Sequence, residues 1–166
     1  MNKVKVLFVC LGNICRSPLA EGIFRQRVKE RGLEEYFLVD SCGTAAYHIG
    51  KSPDKRSIQN AGANGVDYTH AARQLNKSDF DKFDYILPMD DANLINTLEL
   101  QTVTNEAEVV KMRYFDPINK GADVPDPYYG GADGFQEVFD ILDRSIDVFL
   151  THLMETYFGD TMGVII

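Results

Sequence analysis

Apolar positions in this chain gather into short, nearly unbroken runs, and longer stretches of helical period lie between them. "KVKVLFVC" (3–10) is Val-rich and lacks sustained polar alternation, the pattern of a strand buried on both faces. "SPLAEGIFRQRVKERG" (17–32) predicts a helix with Ser17 as N-cap, Pro18 at the first helical position and Gly32 as the stop. "YFLVDSCGT" (36–44) is a second strand. "SPDKRSIQNAGANG" (52–65) repeats the Ser-Pro helix start and ends on Asn-Gly. "FDYILPMD" (83–90) and "EVVKMRYF" (108–115) are the third and fourth strands, with a helix over "DANLINTLEL" (91–100) between them. Pro88 should remove one ladder hydrogen bond near the end of the third strand. "GFQEVFDILDRSIDVFLTHLMETYF" (134–158) is a long amphipathic helix, apolar at Phe135, Val138, Ile141, Leu142, Ile146, Phe149, Leu150 and Leu153. Strands alternating with helices predict an α/β fold, a parallel sheet covered on both faces, with ligands at the carboxyl ends of the strands. Cys10 lies at one of those ends.

The chain has 166 residues, of which 45% are apolar and 25% charged, and reads as one soluble domain over 1–166. The pattern assigns the short apolar tail, about 157–166, neither packing nor freedom. A net charge of −8 argues against a general nucleic-acid binder or an anionic-membrane binder. No apolar run approaches the roughly 20 residues that span a bilayer. The apolar stretch at the N-terminus is short and leads straight into loop chemistry, so it reads as a strand and not as a leader. Three cysteines, an odd number, make no disulfide framework and suit a reducing, cytoplasmic setting.

Chemistry concentrates in "VCLGNICRSPLAEG" (9–22). A strand running through a loop into a helix N-terminus directs backbone N–H groups and the helix dipole toward an anion. Gly12 permits a tight turn, and Arg16 supplies a planar fork that matches a phosphate. Cys10 would lie at the floor of this cradle, where positive potential favours its thiolate and places it for in-line attack on phosphorus. Ser17 can hydrogen-bond that sulfur. A lone cysteine at a strand end is usually a small core residue. The spacing Cys10, five residues, Arg16, Ser17 is far more specific.

"CLGNICRSP" (10–18) resembles the active-site loop of the low-molecular-weight protein tyrosine phosphatases. The resemblance runs on through "SCGTAAYHIGKSPDKR", "HAARQL", "FDYILPMDDANL" and "VPDPYYGG". It implies a flavodoxin-like three-layer sandwich with a four-stranded sheet in the order 2-1-3-4. It also implies hydrolysis of protein phosphotyrosine, or of small aryl phosphates, through a cysteinyl phosphate. On this basis Cys10 is the nucleophile and Arg16 the phosphate clamp. Asp126, between Pro125 and Pro127, is the general acid that protonates the leaving phenolate and then activates water. Leu11, Gly12, Asn13, Ile14, Cys15 and Ser17 complete the phosphate loop, with Asn13 expected in a left-handed conformation. Ser41, His70 and Asp90 align with a supporting network, and Asp91 is an alternative cap for the helix that follows. Leu11, Ile14, Tyr47, Tyr128 and Tyr129 line the mouth, where aromatic walls and depth select a flat phenyl ring. Should Asp126 not serve, Asp91 and Asp123 are the next acids. The resemblance further suggests that Cys15 traps an oxidised Cys10 as a reversible disulfide.

No cofactor and no metal are implied, because His48, His70 and His152 lack ligand spacing. The expected partner is a phosphotyrosine protein or aryl phosphate, without nucleic acid or membrane, for a monomer or weak dimer. Two other readings are weaker. An arsenate reductase of this fold needs further cysteines, and none follows Cys42. A phosphotyrosine-binding module would have lost the cysteine or the acid, and both are present.

Overall fold

The computed structural model describes residues 2–102, 104–128 and 130–165, with side chains through residue 159. Strand β1 (Val4–Cys10) leads into helix α1 (Arg16–Glu30), and β2 (Phe37–Gly43) is followed by α2 (Lys55–Ala63). A one-turn helix α3 (Asp79–Lys82), β3 (Tyr85–Pro88), α4 (Asp91–Leu100), β4 (Glu108–Val109) and α5 (Ala132–Ile165) complete the order. The four strands form one parallel sheet, β2-β1-β3-β4, as expected from the alternating pattern and the resemblance.

β1 is the central strand because every one of its residues has something to bury against. Val4, Val6, Phe8 and Cys10 face the larger core, under α1 and α5, while Leu7 and Val9 face a smaller core with Cys42, Leu75, Phe80, Phe83 and Ile86. This period-two division across two covered faces explains a run with no polar alternation. All eight apolar positions read on α5 are buried. Phe149 ties α5 to the rest, with ring centroids 6.0 Å from Phe24, 5.7 Å from Tyr85 and 4.8 Å from Phe115.

Boundaries differ from the sequence reading where side chains find a second use. α1 begins at Arg16, so Ser17 is not its N-cap; the Ser17 hydroxyl is turned inward to Cys10. α2 begins two residues after the Ser52-Pro53 pair, because Asp54 caps it by accepting from the Arg56 amide. Asp90, not Asp91, caps α4, accepting from the Asn93 amide. β4 is only two residues long. Beyond it Lys111 turns toward α4, and Met112–Phe115 winds into a 3₁₀ turn held by Arg113 and Asp116. α1 ends as read, with Gly32 left-handed at φ 67° and the Leu33 amide bonded back to the Val28 carbonyl. Pro88 stands opposite Val9 at the end of β3, and the Met89 amide resumes the ladder on the Val9 carbonyl. α5 carries a non-helical Gly159; the packing of the tail beyond it lies outside the described residues.

Two close approaches at the carboxyl end of β1 shape the site. The Thr44 and Ala45 amides donate to the Cys10 and Leu11 carbonyls. Gly43 lies so near the loop that a Cβ there would sit 2.6 Å from the Leu11 carbonyl oxygen, so only glycine fits.

Asp116 anchors the segment that leads back to the site. Its side chain is wholly buried and accepts from Arg113 Nε, Arg144 Nε and the Ile118 amide. Burial alone would raise its pKa; the bonds from Arg144, the Ile118 amide and Arg113 outweigh it and hold the carboxyl well below the usual range. A depressed carboxylate stabilises the fold above its unfolded pKa, about 3.9, and that contribution fades as pH falls below it. Asp116→Asn should therefore cost about 3–5 kcal/mol at neutral pH. In denaturant titrations the gap from wild type should narrow below about pH 4. A gap independent of pH would assign the loss to packing alone.

Candidate active site

The turn after β1 brings a hydroxyl and a backbone amide to one sulfur. Cys10 Sγ lies 2.9 Å from Ser17 Oγ and accepts from the Asn13 amide at 3.3 Å. Ser17 Oγ also accepts from Asn13 Nδ2 and lies 3.2 Å from the Cys42 carbonyl. Its single proton therefore chooses between that carbonyl and the sulfur. A thiolate at Cys10 would draw it, giving the anion two donors. Among the described residues, the amides of Gly12, Ile14 and Cys15 have no protein partner, as befits an anion cradle before a helix N-terminus.

Asn13 shapes the turn. It has φ 58°, a left-handed conformation that asparagine tolerates better than most residues. Its buried amide makes four side-chain hydrogen bonds. Nδ2 donates to Ser17 Oγ and Ser41 Oγ, while Oδ1 accepts from the Arg73 amide at 3.0 Å and from His70 Nε2 at 2.7 Å. The Arg73 amide fixes which end of Asn13 is the oxygen, and so makes His70 Nε2 the donor. His70 Nδ1 faces Glu21 Oε1 at 3.2 Å, and Ser41 donates to that same oxygen. Ser41 and His70 thus stand behind the cradle, as the resemblance implied.

Glu21 and Arg73 were missed by the sequence reading. Glu21 had one signal, a carboxylate inside the apolar stretch "PLAEGIF" on a face that must be buried. Glu21, Asp40 and His70 gather ligand-type atoms within 4.8 Å of one another. Both carboxylates are already paired with arginines, Glu21 with Arg25 and Asp40 with Arg73. The group is a neutralised hydrogen-bond cluster, not a vacancy for a cation.

Arg16 is buried at the start of α1. Its Nη1 donates to Asp90 Oδ2 at 2.6 Å and to the Val124 carbonyl at 3.1 Å, and Nη2 lies 3.6 Å from Asp126 Oδ2. Burial pulls the guanidinium pKa down; Cys10, Asp90 and Asp126 more than offset it and leave it raised. Asp90 is therefore a partner of Arg16 as well as a helix cap. Asp126 is more than a third exposed at the mouth, and its Oδ1 accepts from the Tyr128 amide, a local turn that holds the carboxyl over the cleft. Asp91 and Asp123 lie elsewhere. Both are clamped by Lys111 Nζ, at 2.7 and 2.8 Å, and the Lys111 bond holds the Asp123 carboxyl below its usual range. Asp123 is therefore not suited to carry a proton at neutral pH.

Above the sulfur lies a cleft of about 260 Å³. Leu11, Ile14, Tyr47 and Tyr128 line it, and so does His48, whose ring stands 6.4 Å from that of Tyr128. His48 was not singled out from sequence; a Cβ at Gly12 would meet its ring at 2.9 Å. Tyr129 lies outside the described residues.

A family model described as low molecular weight phosphotyrosine protein phosphatase matches residues 5–157. The chain belongs to the low molecular weight phosphotyrosine protein phosphatase family. A phosphatase of this family from Schizosaccharomyces pombe is 46% identical over 137 residues, covering 82% of this chain and 88% of its own. Among solved structures, a protein tyrosine phosphatase from Entamoeba histolytica, with Hepes in its active site, superposes with a TM-score of 0.89 at 38% identity, covering 93% of this chain and 99% of its own. A Drosophila arginine phosphatase superposes with a TM-score of 0.85 at 32% identity, covering 90% and 98%. In this phosphatase, then, the fold is shared with enzymes whose named substrates differ.

The three cysteines differ in reactivity. Burial, then the nearby Asp54, pushes the Cys15 thiol up to about 12, and burial raises Cys42 well above the ordinary thiol. Iodoacetate at pH 7 should therefore carboxymethylate Cys10 alone, and inorganic phosphate should protect it. Peptide mass mapping would show this; labelling of Cys15 or Cys42 at a comparable rate contradicts the assignment.

Proposed function

We infer that this phosphatase hydrolyses phosphotyrosine in proteins, and small aryl phosphates, with Cys10, Arg16 and Asp126 as its catalytic residues. The observation that carries the reading is the meeting of Cys10, Arg16 and Asp126 around one aromatic-lined cleft, each brought there by a different segment. Phosphate sits over the cradle amides and the Arg16 fork. Cys10 Sγ attacks phosphorus, the phosphorus–phenolate bond breaks, and Asp126 gives its proton to the leaving oxygen. Water then attacks the cysteinyl phosphate, Asp126 takes the water's proton, and phosphate leaves as the Cys10 thiolate is restored beside the Ser17 hydroxyl. Electrostatic preorganisation by fixed donors suits the charge that develops on the phosphoryl oxygens.

The aryl preference rests on the rings of Tyr47, His48 and Tyr128 and on the depth of Cys10 beneath them. The whole chain acts as one domain, as a monomer or weak dimer in the cytoplasm, on phosphoproteins and without nucleic acid, membrane, metal or cofactor. A net charge of −8 argues against nucleic acid or an anionic membrane surface as partner, and no described helix is long and apolar enough to cross a membrane.

Cys10→Ser should bind vanadate and turn over almost nothing, since a serine in the cradle stays protonated. Asp126→Asn should lower kcat/KM on phenyl phosphate by about 10²–10⁴-fold. Its loss on nitrophenyl phosphate, whose leaving group needs no proton, should be far smaller. The wild type should be slow on phosphoarginine. Equal losses on the two aryl esters would move the acid elsewhere, and faster turnover of phosphoarginine would overturn the aryl assignment.

Cys15, in the same loop, is the proposed partner that resolves an oxidised Cys10. Peroxide converts the Cys10 thiolate to a sulfenic acid with release of hydroxide, and condensation with the Cys15 thiol expels water to form the disulfide. Cys15→Ser should hydrolyse substrate much as wild type does but recover poorly in dithiothreitol after peroxide, whereas Cys42→Ser should recover fully. Full recovery of Cys15→Ser would leave Cys15 a packing residue.

A further inference from the structure

We propose that Arg56 is a positioning residue that sets the Asp126 carboxyl relative to the phosphate cradle; the proposal rests on the reading of Asp126 as the general acid. Arg56 is at the start of α2, about half exposed, and outside the cleft lining. Its guanidinium nevertheless bridges the two halves of the site.

On one side it is bound to Asp54, with Nε 3.1 Å from Oδ1 and Nη2 2.9 Å from Oδ2. Asp54 is itself tied to the cradle, because its amide donates to the Ile14 carbonyl at 2.8 Å. On the other side, Arg56 Nη2 donates to the Tyr128 carbonyl at 3.0 Å. Its Cζ lies 5.5 Å from the centroid of the Tyr128 ring and 4.8 Å from that of Phe135, the buried first aromatic of α5. Tyr128 is the residue whose amide holds Asp126 Oδ1. A continuous path thus runs from Ile14 through Asp54 and Arg56 to Tyr128 and Asp126.

Each part of the guanidinium is used. The fork reaches both Asp54 and the Tyr128 carbonyl, and the cation lies over the rings of Tyr128 and Phe135. A lysine could keep the charge but could not make all of these contacts at once. For a surface charge pair alone, little would be expected. Here the pair is the middle of a strut, and its value lies in the geometry of the acid, since small misplacements of a catalytic group cost rate far more than they cost stability. Arg16 also approaches Asp126, but at 3.6 Å and from the cradle side. Arg56 constrains the same loop from the opposite side, through its backbone.

The test is a double-mutant cycle read as kcat/KM, which reports steps through the departure of the phenol. With phenyl phosphate, Arg56→Ala should lose on the order of tenfold and Arg56→Lys should lose part of that. With nitrophenyl phosphate both should stay within about twofold, because that leaving group does not need the acid. Inhibition by inorganic phosphate should be unchanged, showing the cradle intact. In an Asp126→Asn background, Arg56→Ala should cost nothing more on phenyl phosphate. An equal loss on both esters, a weakened phosphate inhibition, or a full additional loss in the Asp126→Asn background would each overturn the positioning role. If Asp126→Asn itself shows no dependence on the leaving group, the reading of Asp126 fails, and this proposal with it. If that dependence is present and Arg56→Ala lacks it, Arg56 alone is misassigned.

Discussion

The arrangement of the site depends on Asn13 being held in a left-handed conformation by four hydrogen bonds to buried or half-buried partners. A turn that leaves amides unpaired for a ligand cannot be stabilised by those amides, and each unmet buried amide costs about 1–3 kcal/mol. Something outside the turn must hold it. Asn13 does so by bonding to α1 through Ser17, to β2 through Ser41 and to the segment after α2 through His70 and Arg73. These are three separate parts of the chain, so the loop's shape is set by the tertiary fold and not by local preference. The charges behind it extend this support. Glu21 and Asp40 are each paired with an arginine, and His70 is set between Glu21 and Asn13.

Arg16 is the counterpart on the other side of the sulfur. A buried cation without partners would be too costly to keep, and a cation wholly satisfied by carboxylates would have nothing to offer a phosphate. Asp90 and the Val124 carbonyl take one end of the guanidinium, and the second end faces Asp126 at a looser distance. The contact with Val124 matters beyond charge. It joins Arg16 to the backbone two residues before Asp126, so that the guanidinium at the cleft floor also helps place the carboxyl at its mouth.

Much of this was legible in the sequence, for physical reasons that can be stated residue by residue. The parallel sheet and the buried face of α5 followed from periodicity, because a strand covered on both faces and a helix covered on one leave different spacings of apolar residues; the strand order came from the family resemblance. Cys10, Arg16 and Ser17 were readable because a strand–loop–helix turn with that chemistry has few other uses, and Asn13 through the family resemblance. The helix starts were misread at Ser17 and Ser52 because propensity marks several residues as caps and the structure chooses among them. Ser17 is taken by the sulfur, and Asp54 outcompetes Ser52 by bonding its own helix amides. β4 was overestimated because Lys111, apparently one more strand residue, is drawn away by Asp91 and Asp123. Arg73 and His48 act through partners far along the chain, and no local pattern marks them; Glu21 was marked only as a carboxylate within an apolar stretch.

The same distinction explains how the two loops of the site differ. The phosphate cradle is bonded to the core through buried side chains, and its immediate bonding partners, Ser17 and Ser41, have no exposure to solvent. The Asp126 loop is held at its edges, by Lys111 and Asp123 on the approach, by the buried Arg16 at Val124, and by the half-exposed Arg56 at Tyr128. A cradle that must present amides to one tetrahedral anion gains from rigidity. An acid that must first donate a proton to a phenol and then take one from water, with the leaving group gone and a water in its place, needs a carboxyl that is placed but not buried. Peripheral struts supply that. They restrict the loop's backbone while leaving the Asp126 carboxyl in contact with both the cleft and the solvent that must enter it.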